Sequence, residues 1–170
     1  MFSKNDLVVY EDSGVCEISD ICELSFTEED PRTYYILRPI FFKDDRIYTP
    51  VNNPKVTLRP VISREEALSI LHSISQAEVH SFEGLRTTEL EGRYRAASKS
   101  HRCADLVKLA MSIYSKTRKA RRSGRRVSEI DDRYLKRLNL LINGELSVAL
   151  DIPAEEVPKL IHAEIEKRKS

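Results

Sequence analysis

Two patterns of apolar residues divide the chain. Up to about residue 61, apolar positions come in short, nearly alternating runs separated by Gly, Pro, Asn and Asp. That is the period of strands. Val8, Val9 and Tyr10 predict a first strand, ended by a turn signal over residues 11–14. Val15, Ile18 and Ile21 predict a second, with a β-bulge because their spacing is three rather than two. A polar hairpin loop over residues 27–32 leads to a strong strand at 33–37, rich in Tyr, Ile and Leu. Pro39 stops that strand or marks an edge. Lys43, Asp44 and Asp45 predict a turn before a strand at 46–48, and Asn52, Asn53 and Pro54 another before a strand at 56–58. Five short strands with tight loops predict a small β-barrel of the SH3 or Tudor type over residues 1–62.

From Ile62 onward the period changes to that of helices. Ser63 and Glu66 form a capping-box pattern, and Ala67, Leu68, Leu71 and Ile74 follow at helical spacing. Residues 76–86, with Gly84, read as a connection. A second helix is predicted from Thr87 or Thr88, with Glu91 three residues beyond Thr88, through Leu90, Tyr94 and Ala97 to about Ser100. The third begins between His101 and Asp105 and carries the stripe Leu106, Leu109, Ala110, Ile113 and Tyr114. Its end is basic, as the helix dipole prefers, and Gly124 breaks the pattern.

Ser128 caps a fourth helix, with Asp131 at the box position. Ile130, Tyr134, Leu138, Leu141, Ile142, Leu146, Ala149 and Leu150 predict its inner face, which leaves Arg133, Lys136 and Arg137 exposed. Residues 151–153 restart a helix with Pro153 in its first turn. Val157, Leu160, Ile161 and Ile165 lie along it, and a fraying tail is expected from Glu164. The predicted fold class is therefore α+β: the small barrel over residues 1–62, then an all-α helical domain over 63–170.

Composition adds bounds. Of 170 residues, 41% are hydrophobic and 32% charged, which suits a soluble domain with a core. No apolar run approaches the roughly 20 residues that span a bilayer, and the N-terminal residues lack a signal-peptide pattern. Cytoplasmic location with no membrane partner is the expectation. Three cysteines, Cys16, Cys22 and Cys103, predict free thiols rather than zinc ligands.

Charge changes the picture most. The net charge is +1, yet residues 93–126 carry twelve Lys and Arg against Asp105 alone. That stretch is +11, and the rest of the chain sums to −10. Residues 1–62 hold seven Lys and Arg against eleven acids and make a poor polyanion surface. The concentrated basic segment predicts phosphate contacts through Arg93, Arg95, Lys99, Arg121, Arg122 and Arg125. A solvated helix face with a charged loop is the blander account of the same residues. A small barrel can bind a partner by lending a strand edge.

Candidate chemistry is sparse. There is no phosphate-binding Gly-rich loop, nucleophile elbow or paired metal-ligand motif. His72 is read as a partly packed side chain, and His80, His101 and His162 have no partner in a motif. No catalytic residue, metal or cofactor is expected, and the chain is read as a binding protein rather than an enzyme.

A sequence resemblance sharpens this. Val8-Val-Tyr10, Gly14-Val15, Tyr35-Ile-Leu37, Ile47-Tyr-Thr-Pro50 and Leu58-Arg-Pro-Val61 resemble the N-terminal module of the CarD/CdnL family of bacterial transcription regulators, a module shared with the transcription-repair coupling factor. Arg93-Tyr94-Arg95, Gly144-Glu-Leu146 and Ala149-Leu150 extend the resemblance to about residues 2–150. It implies a Tudor-like domain that binds the RNA polymerase β subunit. It also implies a helical domain that contacts promoter DNA at the upstream edge of the transcription bubble and stabilises the open complex.

On the polymerase side the resemblance points to the positions of Leu24 and Tyr48, where relatives have basic side chains; Arg46 stands two residues from Tyr48 as a substitute. On the DNA side Arg95, Arg133 and Arg137 align with basic positions and Arg93-Tyr94 with an Arg–aromatic pair. At Leu90 relatives carry a Trp wedge, so Leu90 is either a smaller minor-groove wedge or a core residue. The basic tract 118–126 exceeds what the family leads one to expect. A monomer associated with the nucleoid through polymerase is the implied form. The alternative reading is an RNA- or ribosome-associated Tudor/SH3-like module with a basic helical tail.

Overall fold

The structure, a computed structural model, describes residues 1–28, 31–42 and 46–169. Lys43, Asp44 and Asp45 of the expected turn, and Glu29 and Asp30 of the expected loop, lie outside the described residues. The chain divides into two compact units, Met1–Val61 and Ile62–Ser170.

The first unit is an antiparallel sheet of five strands. They are β1 (Leu7–Tyr10), β2 (Gly14–Leu24), β3 (Arg32–Pro39), β4 (Ile47–Pro50) and β5 (Leu58–Pro60), in the order β4-β3-β2-β1-β5. Gly14 makes the β1–β2 turn possible: its φ of 68° and ψ of −144° suit only a residue without a Cβ. The register of β2 against β3 slips between Ile18 and Asp20. That bulge explains the spacing of three between Ile18 and Ile21, because it returns Ile21 to the face already occupied by Cys16 and Ile18; Val15, next to Cys16, lies on the other face. Val8, Cys16, Ile18, Tyr35 and Leu37 form the core, flanked by Phe2, Tyr10, Ile21, Ile47, Val51 and Leu58.

The expected barrel is corrected to an open sheet among the described residues, with β4 and β5 as its edges. Both edges are short, four and three residues, and Pro50 and Pro60 lack the N–H that a further ladder bond would need.

The second unit has five helices: α1 (Arg64–Ile74), α2 (Thr87–Ser98), α3 (Cys103–Arg122), α4 (Glu129–Leu150) and α5 (Val157–Lys169). The Ser63 hydroxyl accepts from the Glu66 N–H at 3.1 Å, as the capping pattern predicts. The buried face of α1 is Ala67, Ile70, Leu71 and Ile74, whereas Leu68 is exposed. A stripe phased on Ala67 repeats at three and four residues and passes over its neighbour Leu68. The second helix starts at Thr87, one of the two expected starts, with Arg86 at the N-cap and no side-chain cap bond.

The third helix is the centre of the unit. Leu106, Leu109, Ala110 and Ile113 are buried as predicted, and so are Cys103, Val107, Met111, Ser112 and Thr117. A single amphipathic stripe underestimates a helix packed on more than one side; α1, α2 and α4 all contact α3. Within α4, Ser128 accepts from the Asp131 N–H at 3.2 Å. The C-cap of α4 is Asp151 in the left-handed conformation, and a short 3-10 turn (Ala154–Glu156) precedes α5. The tail expected to fray is instead part of α5, with Glu164 and Ile165 buried. The His72 Nδ1 lies 3.9 Å from the Glu164 carboxylate, and Arg168 donates to the Ala77 carbonyl at 2.8 Å.

Because Ile113 is fully buried at the centre of α3 while Leu160 is 40% exposed on α5, their truncations should differ sharply. Ile113→Ala should cost about 2–5 kcal/mol of stability of the helical unit, and Leu160→Ala less than about 1. Urea unfolding followed by circular dichroism at the helical band measures both; equal losses would contradict this packing.

Candidate functional site

The sheet presents one face away from its core. Residues directly opposite in a ladder share a face. Tyr48 pairs with Ile36, Pro50 and Cys22 with Tyr34, and Leu24 with Arg32. Leu24, Tyr34 and Tyr48 therefore lie on the face opposite Tyr35 and Leu37. Phe26 joins them, its ring 5.2 Å from that of Tyr34 and 6.5 Å from that of Tyr48, both edge-on. Phe26 is 67% and Tyr48 47% exposed, so this aromatic cluster faces solvent. Arg46, also exposed, immediately precedes β4.

The same strand carries backbone groups with no ladder partner among the described residues. The Val51 N–H donates to the Thr33 carbonyl at 3.0 Å, which sets the alternation of the ladder. Thr49 and Ile47 then bond to β3, and the N–H and C=O of Tyr48 point outward from the open edge. Sequence reasoning singled out Leu24, Arg46 and Tyr48 but missed Phe26 and Tyr34. The register of β3 against β4 unites them, and strand periodicity alone does not reveal that register.

In the helical unit the structure places the residues expected to contact DNA in different settings. Leu90 and Tyr94 are core residues, 5% and 0% exposed. Leu90 is thus not placed as a wedge, and Tyr94 is not placed for a DNA contact. Both lie on the i, i+4 face by which α2 packs on the rest of the unit. The Tyr94 ring contacts those of Phe82 and Tyr134 at 5.1 and 5.2 Å. Its hydroxyl donates to the Asp131 carboxylate at 2.6 Å.

Arg93 and Arg133 are exposed but already paired, with Glu89 at 3.7 Å and with Glu91 at 3.1 Å. Arg137 is exposed on α4. Arg95, Lys99, Arg121, Arg122 and Arg125 are exposed, and among the described residues none has a carboxylate within 4.0 Å. The same holds for Arg102 and Arg126, which the sequence-level site did not include.

Asp131 was legible only as a cap-box residue. It is 3% exposed, and Lys116 Nζ lies 2.9 Å from its second oxygen. Burial, and then the Asp131 acceptor, hold the Tyr94 phenol well above its ordinary range. Nearby, Lys119 lies 3.0 Å from Glu83, whose carboxyl is held below its usual range mainly by that hydrogen bond and charge, with smaller contributions from Arg125 and Lys116.

Among the described residues no group of three His, Cys, Asp or Glu could hold a metal, and the three cysteines form no disulfide. No helix among the described residues is long and apolar enough to cross a membrane.

The sheet unit thus has an open edge flanked by aromatic side chains, and the helical unit that follows it in the chain carries exposed cations. Residues 2–62 match the family model of the CarD-like/TRCF RID domain. That match supports a CarD-like RNA polymerase-interacting domain over residues 2–62. The match does not extend into the helical unit. A search of curated proteins finds no match to the chain.

Tyr94 supplies a test that separates packing from binding. Tyr94→Phe should cost about 1–3 kcal/mol near neutral pH, because buried Asp131 loses a donor. The phenol pKa is raised on folding, so its contribution is complete below the unfolded value near 10 and falls as pH rises beyond it. Urea midpoints at pH 8 and pH 10.5 should show the variant losing less stability than the wild type over that interval. DNA affinity at pH 8 should be unchanged; a large loss would place Tyr94 at the interface.

Proposed function

We propose that this protein is a non-enzymatic transcription regulator. It docks on the RNA polymerase β subunit through residues 1–62. It contacts promoter DNA at the upstream edge of the transcription bubble through the basic helical unit, and so modulates open-complex stability. The observation that carries this reading is the CarD-like/TRCF RID match over a sheet whose β4 edge is open. An added strand from the partner would take the outward N–H and C=O of Tyr48, while Leu24, Phe26, Tyr34 and Tyr48 supply side-chain selectivity and Arg46 a charge.

The DNA contact on this reading is electrostatic. Arg95 and Lys99 offer unpaired charge. Arg93 and Arg133 exchange a surface carboxylate for a phosphate at small cost, since exposed ion pairs are worth about 0–1 kcal/mol. With Leu90 and Tyr94 in the core, stabilisation comes from holding phosphates beside the fork and not from prising bases apart.

Binding to the isolated β subunit and the lifetime of open promoter complexes test the two halves separately. Phe26→Ala with Tyr48→Ala should weaken β binding about tenfold or more, while Arg95→Gln with Lys99→Gln leaves it unchanged and shortens the effect on open complexes. Wild-type protein with no affinity for β, but tight binding to structured RNA, would replace this reading with an RNA- or ribosome-associated module.

A further inference from the structure

The arginine-rich sequence between α3 and α4 is not a loose tract. Gly124 has φ of 68°, the Gly124 N–H donates to the Arg121 carbonyl at 3.1 Å, and the Arg125 N–H donates to the Ala120 carbonyl at 2.8 Å. These are the two bonds of a Schellman closure. Three residues later Ser128 caps α4. The turn is therefore closed at both helix ends. Beneath it, the Lys116–Asp131 ion pair ties α3 to α4, and Lys119 ties α3 to Glu83.

On this frame stand Arg121, Arg122, Arg125 and Arg126, all exposed and none with a carboxylate within 4.0 Å among the described residues. Arg93, Lys119, Arg133 and Lys136 of the same unit do have carboxylates within 4.0 Å. A second group without a carboxylate within 4.0 Å among the described residues is Arg95 and Lys99, at the C-terminal end of α2, with Arg102, the N-cap of α3. From Arg102 to Arg122 the helix rises about 30 Å. That distance matches about nine base pairs at 3.4 Å each.

We infer that the α3–α4 turn is a second phosphate-binding site, and that with the Arg95–Lys99–Arg102 group it grips one DNA duplex at two points about nine base pairs apart. This rests on the proposed reading of the helical unit as a DNA-binding one and adds a site to it. The partner is a duplex backbone and not a single strand. Single strands are held by exposed aromatic platforms, and Phe82, Tyr94, Tyr114 and Tyr134 are all buried or half-buried. A pre-ordered turn suits this task, because arginines already fixed in place lose less entropy on binding.

The test measures affinity of the full chain against salt concentration, on a 20-base-pair duplex and on a hairpin with a six-base-pair stem. The long duplex should engage both groups. Arg121→Gln, Arg122→Gln and Arg125→Gln together should then reduce the slope of log affinity against log salt by about two to three. On the short stem, which spans about 20 Å and reaches only one group, the wild-type slope should be roughly half that on the long duplex. The same triple variant should change it by less than one there. Lys159→Gln, on α5, is the charge control, and circular dichroism verifies that the helices persist. An unchanged slope on the long duplex overturns the second site while leaving the proposed DNA function intact. Equal slopes on both lengths overturn the two-point grip. Wild-type protein with no duplex affinity overturns both, and tighter binding to duplex RNA overturns the choice of DNA.

Discussion

The carboxylate of Asp131 is the constraint on which the helical unit depends. It is buried, and it joins three helices at one point: the Tyr94 hydroxyl from α2, the Lys116 ammonium from α3, and its own helix α4. Its backbone N–H is used as well, by the Ser128 cap. A buried charge of this kind is tolerated only when its partners are in place, and removing one partner from such a pair typically costs about 3–5 kcal/mol. The same three contacts hold the start of α4 against the end of α3, so the arginine-bearing turn between them has little freedom. Structural economy and charge display are thus coupled: the residue that locks the core also sets where the cations stand.

How much of this was legible in the sequence differs by kind of interaction. Local signals carried well. The Ser63 and Ser128 caps, the break at Gly124 and the bulge after Ile18 all follow from groups within a few residues of one another. Phase was harder. Leu68 and Ile70 are both apolar, and one neighbour in the helix decides which faces inward. Leu90 could be read as core or wedge because one apolar side chain fits either, and only the packing of α2 places it inside. Pairing across the sequence was not legible at all. Arg133 meets Glu91 from 42 residues away, and Asp131 meets Tyr94 from 37. Counting charge along residues 93–126 therefore overstated some cations and hid the special status of one acid.

The sheet shows the same limit from another side. Five short strands suggested closure, since closure removes exposed edges. The described strands leave β4 open, and on the proposed reading the edge that closure would have hidden is where a partner strand would add. An exposed edge normally invites unwanted pairing. Here it is only four residues long and ends in Pro50, which limits what can add to it. The neighbouring aromatic cluster then favours partners with apolar side chains in the matching register. Edge length and cluster together turn a general hazard into a selective contact.

The two units differ in what kind of affinity they can supply, and that difference bears on the proposed role. Backbone pairing at a strand edge is short-ranged and insensitive to salt, whereas arginine–phosphate attraction is long-ranged, salt-dependent and blind to sequence. On its own, a grip that reads no bases typically binds DNA with a dissociation constant of about 10⁻⁴ to 10⁻⁶ M, too weak to find a promoter. Docking on polymerase changes that arithmetic. A tethered site sees nearby DNA at an effective concentration of order millimolar, about ten times the weaker limit or more. The helical unit would then be mostly occupied wherever polymerase has already melted DNA, with specificity supplied by the polymerase. A wedge or a base-reading helix would add little to such an arrangement. That accounts for a helical unit that spends its aromatic side chains on its own core and keeps its unpaired charge for the surface.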